Sequence, residues 1–297
     1  MSAEPLTGRR IVVTGAGIGL GAAYAEAIAA AGASVLVNDL DPELAEATAA
    51  RITDAGGRAV PCAGDVADWD SAGAVVDRCV AEFGGIDGLV NNAGIVGRLR
   101  KIWEEQPDAR RTIDVNVLGV LHMAAHTTRV MVGTGTRGSI VNVSSGNQCG
   151  HLWVSTYGAS KGAVASYTYA WARELEEHGI RVNAISPNAY TNQHDEIIEQ
   201  LGHNPEVNHA VYPSKQDNAA VVVYLLSDAS SKLNGQNLRV AHESLCVMSH
   251  PMIVNPTATV TTWSHDSVAE AFTEQLDDQL QPLGVALGDV TPIKIVY

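Results

Sequence analysis

The glycine-rich segment Thr14-Gly-Ala-Gly-Ile-Gly-Leu-Gly21 constrains the fold more than any other part of the 297-residue chain, because of what stands on either side of it. Arg10 to Thr14 is a short β-branched run, and the alanine-rich stretch from about Leu20 to Ala31 reads as a helix that stops at Gly32. A strand that turns through glycines directly into a helix opens a parallel β-α-β unit. Gly15 makes the tight turn, while Gly19 and Gly21, with Leu20 between them, let the backbone approach a pyrophosphate and the helix pack close to the strand. Amides exposed at such a helix start attract phosphate groups.

The same cycle repeats along the chain. Strands are expected at Ser34 to Asn38, Ala59 to Ala63, Ile86 to Asn91, Ser139 to Val143, Arg181 to Ile185 and near Gln236 to Val240. Helices are expected from Pro42 to about Ala55, Asp68 to Phe83, Thr112 to Met131, Ser155 to Glu177 and Gln216 to Leu226. This alternation predicts an α/β fold: one Rossmann-type, doubly wound parallel sheet with helices on both faces, followed by a C-terminal extension. Residues 1–245 are expected to form the main domain. Residues 246–297 are expected to pack on it or at a subunit interface, with one amphipathic helix at about Ser264 to Leu280. The stretch from Pro187 to about Lys215 has poor periodicity and reads as a substrate loop or lid.

With 33 acidic and 19 basic residues the formal charge is -14, which disfavours general attraction to nucleic acid or anionic membranes. Cys62, Cys79, Cys149 and Cys246 are scattered without metal-like spacing and read as reduced thiols. With no apolar leader before the first strand and no stretch of membrane-spanning length, the expectation is a cytoplasmic protein with no membrane partner. His122 and His126 share a helix face without a third ligand to complete a metal site. No metal is expected there, and a helix surface or oligomer contact is.

Two further features point to chemistry. Asp39 ends the second strand about twenty residues after the glycines, where a carboxylate accepts hydrogen bonds from both adenosine ribose hydroxyls and repels a 2'-phosphate. The next residue, Leu40, offers no positive charge, so NAD is favoured over NADP. Tyr157 and Lys161 stand four apart on a helix and share a face. A fixed ammonium beside a phenol stabilises the phenolate, which makes a tyrosine a usable general base.

These motifs, in this order, resemble the short-chain dehydrogenases/reductases over about the first 245 residues. The resemblance implies that Asp65-Val66 flanks the adenine ring and that Asn91-Asn92-Ala93-Gly94 closes a strand beneath the cofactor. It also implies that Asn116 helps hold a proton-relay water, that Pro187-Asn188-Ala189 faces the nicotinamide, and that Thr191 lies near its carboxamide. Tyr157 would remove the alcohol proton as hydride leaves the carbinol carbon, with a serine orienting the substrate oxygen and Lys161 lowering the tyrosine pKa.

The serine is ambiguous by one position. The family's usual spacing to the tyrosine selects Ser144, whereas alignment on the strand end selects Ser145, which is preferred here. His151 and Trp153 in the following loop, and Tyr190, are expected at the substrate pocket, with plain loop packing the alternative for the first two. Local strings look closest to the dehydrogenase portion of multifunctional β-oxidation enzymes and to actinobacterial hydroxysteroid and hydroxyacyl-CoA dehydrogenases. The expected substrate is a small secondary alcohol or its ketone, cyclic, terpenoid or steroid-like, with a 3-hydroxyacyl-CoA as the alternative. A non-catalytic NAD-binding regulator is the alternative of another class. The resemblance also implies a homodimer or homotetramer.

Overall fold

A computed structural model describes residues 4–189, 213–241, 244–251, 257–281 and 284–285. Its strands are β1 (Arg10–Val13), β2 (Ser34–Asp39), β3 (Arg58–Ala63), β4 (Gly88–Asn91), β5 (Ser139–Val143), β6 (Arg181–Ser186), β7 (Asn237–Ala241) and β8 (Ser244–Met248). They form one eight-stranded sheet in the order β3-β2-β1-β4-β5-β6-β7-β8. The first seven pair in parallel, and β8 pairs antiparallel with β7, Arg239 opposite Cys246. Strand order reverses between β1 and β4, which opens a crevice at the carboxyl ends of these strands.

The inner strands read as apolar runs because both faces are covered. Val13, Val35 and Val141 pack with Tyr24 and Ile28 of α1 (Gly19–Ala30) and with Val222 and Leu225 of α7 (Lys215–Leu226). Val12, Leu36 and Ile140 face the other way, toward Val76 of α3 (Trp69–Phe83) and Met123 of α5 (Val120–Thr134). Helix α2 (Pro42–Asp54) starts on Asp41, whose side chain accepts from Glu43 N and Leu44 N. Helix α3 starts on Asp68 and ends at Gly84 in the left-handed region. At α7 Ser214 and Asp217 form a reciprocal capping box.

Three features depart from the expected pattern. The extension contributes strand β8, so the sheet is not wholly parallel. Its residues Leu245 and Val247 are exposed on an edge strand while Cys246 and Met248 are half-buried, but all four are apolar and the sequence shows no alternation. The expected helix from Thr112 begins earlier, as α4 (Ala109–Ile113), and passes through a π-helical turn at Asp114–Gly119 before α5. In the tail, helix α8 covers only His265–Ala271 and continues as π and 3-10 turns to Gln279. Among the described residues no helix is long and apolar enough to cross a membrane.

Candidate active site

At two positions of the glycine loop, Gly15 and Gly21, backbone contacts leave no room for a side chain. Gly15 has φ +59°, and a Cβ there would stand 2.8 Å from Ala93 Cα; a Cβ on Gly21 would collide with Gly15 O. The Asn92 side chain donates to Thr14 O and Gly15 O, both at 2.9 Å, while Thr14 Oγ1 accepts from Asn92 N and Ala93 N. Together β1 and β4 therefore hold the turn in one shape. Helix α1 has no side-chain cap, since its N-cap is Ile18, so its first amides remain available to an anion.

A cavity of about 750 Å³ runs from this loop across the carboxyl ends of the strands. At one end Asp39 Oδ2 accepts from Gly17 N at 2.8 Å and Oδ1 from Asp41 N at 3.2 Å. A carboxylate offers about four lone-pair positions, so capacity remains for two ligand hydroxyls. Leu40, Asp65 and Val66 line the same end. Asp65 is held by Ala67 N and by an ion pair with Arg111 at 2.8 Å, a partner that the sequence did not single out.

At the other end the structure brings Ser145, Tyr157 and Lys161 together beneath Gly94. Ser144 continues the sheet, its amide bonded to Ile185 O, and its hydroxyl turns away onto Lys161 O at 3.1 Å. Ser145, one residue past the ladder, lines the cavity together with Tyr157 and accepts from Asn147 N at 3.2 Å. Strand geometry thus separates the two serines, as neighbouring side chains in a strand point to opposite sides.

Helix α6 (Ser155–Glu174) carries both Tyr157 and Lys161. Lys161 Nζ donates to Val143 O at 2.7 Å and lies 5.7 Å from the Tyr157 ring centroid; it would stand 3.3 Å from a Cβ placed on Gly94. Burial lowers the ammonium to about 8. Burial also pushes the Tyr157 phenol above its ordinary value, and the Ser145 hydrogen bond opposes this only partly. Desolvation is thus the larger influence on the phenol in this geometry.

Asn116 lies on the π-helical turn, wholly buried. Its amide accepts from Ile95 N at 2.9 Å and donates to Ile95 O at 2.8 Å and Ser160 Oγ at 2.9 Å. It thereby ties the segment following Gly94 to the helix that carries Tyr157.

Pro187, Ala189 and His151 also line the cavity, but Trp153 does not. Trp153 is held at φ +67° with its carbonyl accepting from Arg100 N at 2.9 Å, and this turn carries the ring away from the lining. Tyr190 and Thr191 lie outside the described residues. Sequence reasoning missed Asn38, Ile95, Asn147, Arg239 and Val285 on the cavity wall. Only Arg239 left a signal, as a charge alternating with apolar Leu238 and Val240 on β7.

A family model described as short chain dehydrogenase matches residues 9–200. The 2,5-dichloro-2,5-cyclohexadiene-1,4-diol dehydrogenase of Sphingobium indicum is 35% identical over 244 residues, covering 78% of this chain and 95% of that protein. A crystal structure of a short chain dehydrogenase from Mycobacterium avium superposes with a TM-score of 0.82 at 29% identity, over 94% of this chain and 98% of that one. A gluconate 5-dehydrogenase from Burkholderia cenocepacia, solved in complex with NADP and tartrate, gives a TM-score of 0.73 at 31% identity, over 81% and 96% of the two chains.

Proposed function

This chain belongs to the short-chain dehydrogenases, oxidoreductases that act on alcohols, and from that premise we propose that it interconverts a cyclic secondary alcohol and its ketone with NAD, using Tyr157 as general base and acid. The observation that carries the reading is that Ser145, Tyr157 and Lys161 line the same cavity as the glycine cradle, with Tyr157 and Lys161 one turn apart on α6. The proposed catalytic set is Asn116, Ser145, Tyr157 and Lys161.

The residues present fit a dinucleotide. The space that a Cβ on Gly15 or Gly21 would fill, with the uncapped start of α1, suits a pyrophosphate. Asp39 would hold the adenosine ribose, Asp65 and Val66 the adenine, and Asn92 to Gly94 with Pro187, Ala189 and Thr191 the nicotinamide half. Asp39 supports NAD over NADP, because a 2'-phosphate would meet a carboxylate already fixed by two backbone amides. When bound, the cofactor supplies the hydride acceptor.

In alcohol oxidation Tyr157 Oη takes the hydroxyl proton, and Ser145 Oγ donates to the substrate oxygen as charge develops there. Lys161 stabilises the phenolate through its charge, and Asn116 fixes the spacing between β4 and α6 that keeps these groups aligned. The tail belongs to the same unit in this reading. Gln148 Nε2 donates to Met248 Sδ at 3.3 Å, and Gly284 N donates to Cys149 O at 3.0 Å, so residues after 245 support the loop that follows Ser145. We further propose a cytoplasmic homodimer or homotetramer, in keeping with the family.

The test is NADH formation by the purified protein over cyclic, terpenoid, steroid and acyl-CoA alcohols, with NAD and NADP compared. Turnover of ring alcohols with NAD is the expected result. Turnover with NADP alone would overturn the cofactor assignment, and absence of turnover alongside tight NAD binding would favour a non-catalytic role.

A further inference from the structure

The cavity wall contains a cation that no described carboxylate answers. Arg239 projects from β7 to the end of the cavity that holds Ser145 and His151. Its Nη1 donates to Ser186 Oγ at 3.0 Å, and among the described residues it forms no ion pair. Arg111 at the opposite end is, by contrast, neutralised by Asp65. A guanidinium presents five N–H donors, so most of those on Arg239 remain for another acceptor.

Its position relative to the proposed reaction centre is set by Gly146. A Cβ on Gly146 would stand 2.6 Å from Arg239 Nη1, so the guanidinium occupies the space that a side chain next to Ser145 would take. The cation therefore packs against the residue that follows the serine proposed to hold the carbinol oxygen, on the wall of the same cavity. A half-buried guanidinium with a single neutral side-chain partner has lost hydration without gaining a counter-charge.

On the alcohol-dehydrogenase reading above, we infer that Arg239 receives a carboxylate of the substrate, so that the alcohol oxidised is a hydroxy acid. The planar fork of arginine matches a carboxylate through two parallel hydrogen bonds. Among the described residues no second arginine lines this end of the cavity, and a lone guanidinium matches the single charge of a carboxylate better than the double charge of a phosphate ester. The carboxylate fixes the remote end of the substrate while Ser145 and Tyr157 hold the carbinol end, and two anchored ends define which face of the alcohol is presented.

The experiment compares the full-length protein and its Arg239→Met and Arg239→Lys variants, with NAD, on hydroxycyclohexanecarboxylates, their methyl esters and a cyclohexanol phosphate-ester analogue. Wild type is expected to favour the acids over the esters by about 10- to 100-fold in kcat/KM, the scale of a hydrogen bond to a charged group. Arg239→Met should erase that preference by raising KM for the acids, while ester turnover and NAD affinity stay as in wild type and show that the variant is folded. Arg239→Lys should recover part of the preference. Equal use of acids and esters by wild type, equal losses on both in Arg239→Met, or a preference for the phosphate ester would each overturn the assignment. Calorimetry with cyclohexanecarboxylate in the presence of NAD separates the two readings. Binding lost in Arg239→Met supports the carboxylate site even if no alcohol turns over, whereas no binding by wild type sinks it even if neutral alcohols do.

Discussion

Replacing Lys161 by methionine should stabilise the protein without cofactor at neutral pH while abolishing its turnover. The lysine is 3% exposed, and burial lowers it from 10.5 to about 8. At 1.36 kcal/mol per pH unit, that separation corresponds to roughly 3 kcal/mol of unfavourable burial of the charged form at pH 7. Methionine has similar length and adapts to the same space. Its cost is the Val143 carbonyl, which loses the 2.7 Å hydrogen bond from Nζ and is left buried, at about 1–2 kcal/mol. The net gain is about 1–2 kcal/mol, or roughly 2–5 °C in Tm for a chain of this size.

The pH dependence carries the sign. Between about 8 and 10.5 the unfolded chain keeps the lysine proton that the folded chain has lost, so wild-type stability rises with pH through that window. Thermal unfolding of the two proteins from pH 7 to 10 should therefore show the variant ahead at pH 7 and the gap closing toward pH 10. A variant less stable than wild type at pH 7, or a gap that does not narrow, would refute the reasoning.

Two further perturbations probe other parts of the architecture. Asp39→Ala removes the acceptor proposed for the ribose hydroxyls and should weaken NAD binding about 10- to 100-fold while leaving NADP binding unchanged or improved; equal losses for both cofactors, measured by titration, would count against the assignment. Arg181 donates to the carbonyls of Leu225 in the last turn of α7 and of Ser227, Ser230 and Leu233 beyond it, so Arg181→Met should cost at least about 3 kcal/mol in denaturant unfolding, and a change below about 1 kcal/mol would contradict this account of the clamp.

The parts of the fold that were legible in the sequence are those in which one residue type has one physical use. Gly15 and Gly21 mark a turn where the backbone of β4 and the turn itself leave no space for a Cβ. Asp41 and Asp68 announce helix starts, and the apolar runs of β1 and β2 report burial on both faces. Strand β8 was missed because Leu245 to Met248 are apolar at every position, so the alternation of exposed and half-buried residues leaves no mark in the sequence. The π-helical turn at Asn116 was invisible because it substitutes one helical hydrogen-bond register for another without changing the residues used. Counting residues could not separate Ser144 from Ser145. The strand end distinguishes them, by turning the Ser144 hydroxyl onto Lys161 O and leaving Ser145 past the ladder on the cavity wall. Arg239 was overlooked because its significance depends on Gly146, nearly a hundred residues earlier in the chain.

The central claim is that Tyr157 moves the proton, and Tyr157→Phe tests it most directly. This variant removes one oxygen and keeps the ring, so NAD affinity by titration should match wild type while NADH formation from a ring alcohol falls by about a thousandfold or more, within the range by which positioned general acids and bases act. Turnover within a few-fold of wild type, with NAD still bound, would contradict the mechanism.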